Sequence, residues 1–268
     1  MHGLGNDFVV FDAPACGAPP AEWLRRAGDR HTGIGFDQAL MLEPPRRAGT
    51  AVFYRIFNAD GLEVEQCGNG ARCVARLIGR RRGLAAGELL MDSPAGIVRA
   101  RLRDGGLVSV AMAVPDFRPA ALPFEASAEV ERYALEVAGE TVTIGAVSIG
   151  NPHAVLRVEA VATAPLERLG AAIEHHPRFP KRTNVEFMEV LDRGRVRLRV
   201  HERGVGETQA CGTGACGAVA VGRRWGLLDA TVDVELPGGH LIVEWPGPGE
   251  PVWLTGPAEV VFEGTVPL

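Results

Sequence analysis

Two cysteines in this chain stand ahead of the same glycine pattern: Cys67-Gly-Asn-Gly-Ala71 and Cys211-Gly-Thr-Gly-Ala215 agree at every residue but one. A thiol at the start of a helix meets backbone N–H groups and the positive end of the helix dipole. That setting pulls it from about 8.5 toward neutrality and makes it a usable base. The same N–H groups form a cradle for a carboxylate, and glycine lets a ligand approach the backbone closely. One such site points to a nucleophile; two matched sites point to a pair of bases. If the two helix starts converge on one cleft, a small acid bound there has a sulfur on each face of its Cα. One thiolate removes the Cα proton, the opposing thiol delivers another, and the centre inverts. Only one sulfur is ionised at a time, so the two thiols are expected to titrate as a coupled pair. A carbanion beside a carboxylate needs strong stabilisation, to which each oriented donor contributes about 2.7–4 kcal/mol. A pyridoxal route fits poorly, because it needs a Schiff-base lysine and the single lysine, Lys181, sits in a turn-like Phe-Pro-Lys-Arg-Thr-Asn stretch. The cysteine pairs Cys67/Cys73 and Cys211/Cys216 are spaced six and five residues apart, unlike a zinc Cys-x-x-Cys knuckle, so no metal is expected. Cys16, Cys73 and Cys216 read as small buried hydrophobes.

The elements that position the two thiols repeat as well. Arg55 and Glu63 answer Arg199 and Glu207; Gly5-Asn6 answers Gly150-Asn151; Pro94-Ala-Gly96 answers Pro237-Gly-Gly239. Val110-x-Met112-x-x-Pro115 answers Val252-x-Leu254-x-x-Pro257, and the offset drifts only from 145 to 142 residues. Matches kept in order at a nearly constant offset indicate a duplicated domain. Short β-rich runs alternate with Gly and Pro turns at 50–57, 96–102 and 107–114, then at 195–201, 231–236 and 240–245. One helix follows each Cys-Gly-x-Gly. In the first, Ala71, Val74, Ala75, Leu77 and Ile78 form an apolar face; in the second, Ala215, Ala218, Val219, Ala220 and Val221 leave few polar positions. Both end in arginines that complement the dipole, then reach a glycine. The expected fold class is α+β: two pseudo-symmetric duplicated domains, each a curved, mostly antiparallel sheet or barrel around a central helix, with the active site in the cleft between them. The N-terminal repeat is drawn at 1–114, completed by a returning strand at 258–268, and the C-terminal repeat at 115–257, with the Pro-rich stretch 115–123 as linker.

The chain has 268 residues, 46 % hydrophobic and 23 % charged, which excludes disorder and a membrane-spanning bundle. A formal charge of −5 argues against coating nucleic acid. The start carries neither a basic nor an apolar export region, and an odd count of five cysteines speaks against a disulfide framework, so a cytoplasmic protein with free thiols is expected.

Gly3-Leu-Gly-Asn-Asp-Phe8, Gly33-Ile-Gly-Phe-Asp-Gln38, Phe57-Asn-Ala-Asp-Gly61, Cys67-Gly-Asn-Gly-Ala-Arg-Cys73, Gly150-Asn-Pro-His153, Glu202-Arg-Gly-Val-Gly-Glu-Thr208 and Ala210-Cys-Gly-Thr-Gly-Ala215 together resemble the diaminopimelate epimerases over essentially the whole chain. The resemblance implies a cofactor-independent isomerase that interconverts LL- and meso-2,6-diaminopimelate in lysine and peptidoglycan-precursor synthesis, usually as a homodimer. It places the two bases on Cys67 and Cys211, and the groups that tune them on His153 and Glu202. It assigns the proximal carboxylate to Gly68, Asn69, Gly212 and Thr213, and the reacting end to Asn6 and Gln38. The distal carboxylate falls to Asn58, Asn151, Asn184 and Arg203, and the distal ammonium to Glu202. A guanidinium fork suits a carboxylate and a carboxylate suits an ammonium. Members of that family commonly begin several residues ahead of this Met1, which predicts a shortened first strand, and Leu62 stands where they carry a small polar residue. Phe262 matches an aromatic used in their dimer contacts. Two other classes stay open at this stage. One is a related two-thiol racemase or dehydratase of the proline or hydroxyproline type, against which Glu202-Arg203 argues, since a monocarboxylate imino acid has no distal groups to engage. The other is a non-enzymatic thiol redox or anion-binding module.

Overall fold

The computed structural model describes residues 1–14, 17–64 and 67–266, so Cys16 lies outside the described residues. The chain divides into two units: Met1–Ala111 together with the segment from Thr255 onward, and Met112–Leu254.

The first unit comprises β1 (His2–Gly3), β2 (Asn6–Asp12), α1 (Ala21–Gly28), β3 (Gln38–Glu43), β4 (Phe53–Asn58), β5 (Glu63–Val64), α2 (Gly68–Arg81), β6 (Gly87–Ser93), β7 (Gly96–Leu102) and β8 (Leu107–Ala111). Strand β2 lies parallel to β3, with Phe8 opposite Gln38, and β3 lies antiparallel to β4, with Gln38 opposite Asn58. Strand β4 then pairs antiparallel with β5 and parallel with β6, after which β6–β7 and β7–β8 are antiparallel. The two faces of β3 are both apolar, and each is covered by a helix. Ala39, Met41 and Phe57 pack with Trp23, Leu24 and Ala27 of α1. Alternation sends Phe8, Leu40 and Ile56 to the other face, where α2 buries Ala71, Val74, Ala75 and Ile78.

The second unit comprises β9 (Tyr133–Val137), β10 (Glu140–Ser148), β11 (Pro152–Val158), α3 (Leu166–Glu174), β12 (Asn184–Asp192), β13 (Arg195–Glu202), β14 (Gly206–Glu207), α4 (Gly212–Arg224), β15 (Thr231–Leu236) and β16 (Gly239–Glu244). Its ladder follows the same rule. Strand β11 runs parallel to β12, with His153 opposite Asn184; β12–β13 and β13–β14 are antiparallel; β13–β15 is parallel; β15–β16 is antiparallel. Leu166, Leu169 and Ile173 of α3 cover one face with Ala154, Leu156, Val185 and Phe187, and α4 is buried nearly all round. The last strand, β17 (Trp253–Pro257), carries the chain back to the first unit, pairing with β8. Further on, His2 and Glu259 exchange two backbone bonds of 2.9 Å.

The duplication extends to single interactions. Arg55 grips Glu63 through Nε and Nη2 at 2.7 Å each, and Arg199 grips Glu207 through the same atoms at 2.7 and 2.8 Å. Each pair ties the long central strand to its short hairpin partner. A half-exposed pair contributes only about 0–1 kcal/mol, so these pairs serve register more than stability. The structure differs from the sequence reading at strand ends: the run at 50–57 is a strand only from Phe53, because Thr50 turns back on Arg47, and the run at 107–114 stops at Ala111. The 115–123 stretch is not a loose linker. Asp116 bridges Ser148, and Leu122 is wholly buried in the core of the second unit.

The loop that delivers Asp37 and Gln38 is set by Gly33. A methyl there would lie 2.2 Å from Arg26 O and 2.6 Å from Ala27 O, both backbone atoms of α1 that cannot yield. Ile34 and Gly35 donate to Ala27 O at 2.8 and 3.0 Å, so the loop has no freedom to swing away. Gly33→Ala is expected to cost about 1–3 kcal/mol, the range for overpacking. A urea titration reads this as a lower midpoint at unchanged slope, and an unchanged midpoint would contradict it.

Candidate functional site

Each matched cysteine is the N-cap of its helix. Cys67 has an extended backbone (φ −147°, ψ 111°), and its sulfur accepts from Gly70 N at 3.4 Å. Cys211 does the same (φ −103°, ψ 107°), accepting from Gly214 N at 3.3 Å. The cap sulfur therefore takes the third amide of the helix, while the helix start still presents N–H groups that its own carbonyls cannot reach. In α4 those are Gly212 and Thr213, two of the positions expected to hold a carboxylate; Gly68 and Asn69 open α2.

Around Cys67 the first unit gathers Asn6, Gln38, Asn58 and Asn69. Asn6 Oδ1 accepts from Asn69 Nδ2 at 3.1 Å and from the Cys67 thiol at 3.8 Å, while Asn6 Nδ2 donates to Asp37 at 2.8 Å. Asp37 is in turn held by Arg30 at 2.7 Å, the same guanidinium that grips Asp7. Gln38 Nε2 donates to Asn58 Oδ1 at 2.8 Å; among the described residues Gln38 Oε1 has no hydrogen-bond donor although it is buried.

Around Cys211 the second unit gathers Asn151, His153, Asn184, Glu202, Arg203, Gly212 and Thr213. Thr213 Oγ1 lies 3.6 Å from Cys211 Sγ and accepts from Asn151 Nδ2 at 3.3 Å. Asn151 Oδ1 meets His153 Nε2 at 2.9 Å. Asn184 braces the turn after β13: its Nδ2 donates to Pro152 O at 2.9 Å, and its Oδ1 accepts from Arg203 N at 3.0 Å. Glu202 accepts from the Thr208 hydroxyl, and Arg203 donates to Lys181 O at 3.2 Å. The two units place these residues at like lattice points. Asn6 and Asn151 both reach the second residue of the capped helix, and Gln38–Asn58 matches Asn184–Glu202 in strand position.

Electrostatics overturn one expectation. The helix start does not bring Cys211 down toward neutrality: burial pushes its thiol well above the ordinary value, and the Glu202 and Glu186 carboxyls, to the extent that each is ionised, push the same way. The Thr213 hydroxyl and the Gly214 amide pull in the opposite sense without cancelling them. Cys73 and Cys216 are wholly buried, and burial pushes Cys73 up to about 12.

Two acids escaped the sequence reading. Glu186 is wholly buried on β12 and meets His153 Nδ1 at 2.7 Å. Glu174, at the end of α3, accepts from Gly204 N at 2.8 Å and pairs with His201 Nε2 at 3.0 Å, anchoring the turn that carries Glu202 and Arg203. The available signal was an acidic residue inside an apolar run, Asn184-Val-Glu-Phe-Met188, since a buried carboxyl needs a partner.

Comparison with known proteins adds a family to this geometry. The family profile described as diaminopimelate epimerase matches residues 1–117 and 145–261. A diaminopimelate epimerase from Stutzerimonas stutzeri is 53 % identical over 269 residues, covering all of this chain and 98 % of that protein. One from Alkalilimnicola ehrlichii is 53 % identical over 271 residues, with 100 % and 97 % covered. Among solved structures, a probable proline racemase from Agrobacterium radiobacter superposes with a TM-score of 0.65 at 18 % identity, over 98 % of this chain and 92 % of that one. At that identity the likeness is one of fold alone.

The raised Cys211 thiol has a direct chemical consequence. Its thiolate fraction is small at pH 7–8 and grows with pH until the raised value is passed. Alkylation of Cys211 by iodoacetamide, followed by peptide mass spectrometry, is expected to be slow at pH 7.5 and still climbing beyond about pH 9, the ordinary thiol range. A rate that levels off near pH 7 would show the helix dipole to outweigh burial.

Proposed function

The chain belongs to the diaminopimelate epimerase family, and from that premise we propose that it interconverts LL- and meso-2,6-diaminopimelate by passing a Cα proton between Cys67 and Cys211 without a cofactor. One observation carries the reading. Both sulfurs cap duplicated helices through the same bond to the third amide, at 3.4 and 3.3 Å, so each base is fixed beside a set of backbone donors.

Burial pushes the Cys211 thiol up, so we assign it as the proton donor of the first half-reaction, with Cys67, once it has given up the proton it directs at Asn6 Oδ1, as the acceptor. The Cα–H bond breaks toward Cys67 Sγ, a new Cα–H bond forms from Cys211 Sγ on the opposite face, and the two sulfurs exchange protonation states. The reverse reaction uses the same groups with roles exchanged, as inversion at one centre requires. Gly68, Asn69, Gly212 and Thr213 receive the proximal carboxylate on backbone N–H groups, whose gain is largest as charge builds on the carboxylate in the transition state. Asn6 and Gln38 position the reacting end; the buried Gln38 Oε1 supplies an acceptor suited to the α-ammonium. Arg203, held by Asn184, takes the distal carboxylate with Asn58 and Asn151, and Glu202 takes the distal ammonium. His153 and Glu202 tune the thiols; the Glu202 charge is among the groups that hold Cys211 protonated. We place the enzyme in the cytoplasm, in lysine and peptidoglycan-precursor synthesis, as a homodimer built through the face carrying Phe262, which is 68 % exposed.

The test is isotopic. The reduced protein, incubated with LL-diaminopimelate in deuterated water, is expected to place deuterium at one α position. Serine is itself a preferred N-cap, so Cys67→Ser and Cys211→Ser should keep the thermal midpoint while exchange falls by about 10²–10⁴-fold, the usual worth of a positioned acid or base. Exchange at the wild-type rate in either variant would sink the two-base reading.

A further inference from the structure

The two caps rest on different floors. A methyl on Gly70 would touch Leu40 Cδ2 at 3.1 Å and Phe8 Cε1 at 3.4 Å. A methyl on the matching Gly214 would lie 3.0 Å from Glu186 Oε1 and 3.2 Å from Cys211 Sγ. By strand register, His153 holds the place of Phe8, and Glu186, two residues beyond Asn184, holds the place of Leu40, two beyond Gln38. An apolar pair thus underlies Cys67, and an ionisable, wholly buried pair underlies Cys211.

That pair heads a chain of four contacts ending at the sulfur: Glu186 Oε1 to His153 Nδ1 at 2.7 Å, His153 Nε2 to Asn151 Oδ1 at 2.9 Å, Asn151 Nδ2 to Thr213 Oγ1 at 3.3 Å, and Thr213 Oγ1 to Cys211 Sγ at 3.6 Å. With a neutral imidazole such a chain has two possible polarities, because the Asn151 amide can be turned either way. In one, an ionised Glu186 accepts from Nδ1–H, the amide is reversed, and the Thr213 hydroxyl donates to Asn151. In the other, a protonated Glu186 donates to Nδ1, Nε2–H donates to Asn151, and the Thr213 hydroxyl is left to donate to the sulfur. Burial decides between them. Among the described residues Glu186 Oε2 is buried with no hydrogen-bond donor, an arrangement a carboxylic acid tolerates far better than a carboxylate. Burial also raises the proton affinity of this carboxyl, against the opposing pull of His153. The other titratable groups facing the pair are Glu202 from β13 and Cys211 at the start of α4; the Glu202 charge adds to the retention of the proton.

We propose that Glu186 is a positioning residue: as a neutral acid it donates to His153 Nδ1, fixes the imidazole proton on Nε2, and so aims a one-way chain of hydrogen bonds at Cys211 Sγ. The chain ends in a donor to the sulfur, which favours the thiolate that Cys211 must carry for half of each reaction cycle. This rests on Cys211 acting as a base, but the measurements below report on the chain itself.

Two variants and one wild-type measurement test it. Glutamine keeps a donor toward Nδ1 without a titrating proton, whereas leucine, the residue of the other unit, removes the donor. With Cys67 replaced by alanine, the pH dependence of Cys211 alkylation should be unchanged in Glu186→Gln and shifted upward by about one pH unit in Glu186→Leu, a tenfold change in ionisation. In the otherwise native chain, kcat should stay within about threefold for Glu186→Gln and fall about tenfold or more for Glu186→Leu, with KM moving less than kcat. An ionised Glu186 requires the opposite sign: either variant would remove a charge and shift Cys211 downward. A downward shift in either variant, or no shift in both, overturns the proposal. Nitrogen-15 NMR of His153 in the wild-type protein needs no variant to fold; it should show a neutral ring protonated at Nε2, and a ring protonated at Nδ1 or at both nitrogens overturns the proposal as well. Loss of deuterium exchange in wild type with this NMR result intact would count against the epimerase reading alone.

Discussion

A sulfur that caps a helix is constrained in two ways at once. Its bond to the third amide fixes where the atom sits, and the remaining N–H groups of the first turn fix what charge its surroundings attract. In both units this one interaction ties the sulfur, the free N–H groups of the first turn and the core together. The capped helix is packed on the strand face that also carries Gln38 and Asn58, or Asn184 and Glu202. A shift of the helix along that face would displace the sulfur and the donors together, so the geometry of the site is protected by the packing of the whole unit.

The duplication explains the likeness of the caps, and the differences beneath them matter for the chemistry. Symmetric bases suit a reaction that runs both ways, yet the proposed cycle, with one proton to share between two sulfurs, must still set where it rests. The apolar floor of Phe8 and Leu40 and the polar floor of His153 and Glu186 make the two resting places chemically distinct without altering the backbone that presents them. Two substitutions at like lattice points are enough, because strand register carries the neighbouring side chains to the same spots in both units.

Much of this was legible in the sequence, for physical reasons that also mark where legibility ends. Cysteine and glycine at a helix start leave a local signature, so Cys67, Cys211 and their first turns could be read directly, as could the helices behind them from their apolar spacing. The matched Arg55–Glu63 and Arg199–Glu207 pairs appeared as repeated letters before they appeared as ion pairs. Strand β3 left no such mark: Ala39 to Leu42 is apolar on both faces, and without alternation a run of that length does not distinguish strand from helix. Helices α1 and α3, of eight and nine residues, lack side-chain caps and take their stability from the sheet they cover. Glu186 and Glu174 act through partners distant in the chain, and only the fold brings Glu186 to His153 and Glu174 to Gly204.

For the two-base reaction proposed above, a raised thiol affinity for its proton looks at first like a handicap for a base, yet the substrate reverses that judgement. The proton to be removed lies beside a carboxylate and is held very tightly, so the rate depends on the strength of the base as well as on the fraction of it that is ionised. A thiolate drawn from a buried, high-affinity thiol is the stronger acceptor once it exists, and it is generated with no separate ionisation step if the thiol has just given its proton to the opposite face of the same carbon. Burial then costs little in occupancy, while excluding water from the cap preserves the strength of every donor aimed at the developing charge. The helix start, the hydroxyl of Thr213 and the neutral acid proposed behind His153 would contribute what burial withholds: a local welcome for negative charge on sulfur, limited to the moment the proposed reaction places it there.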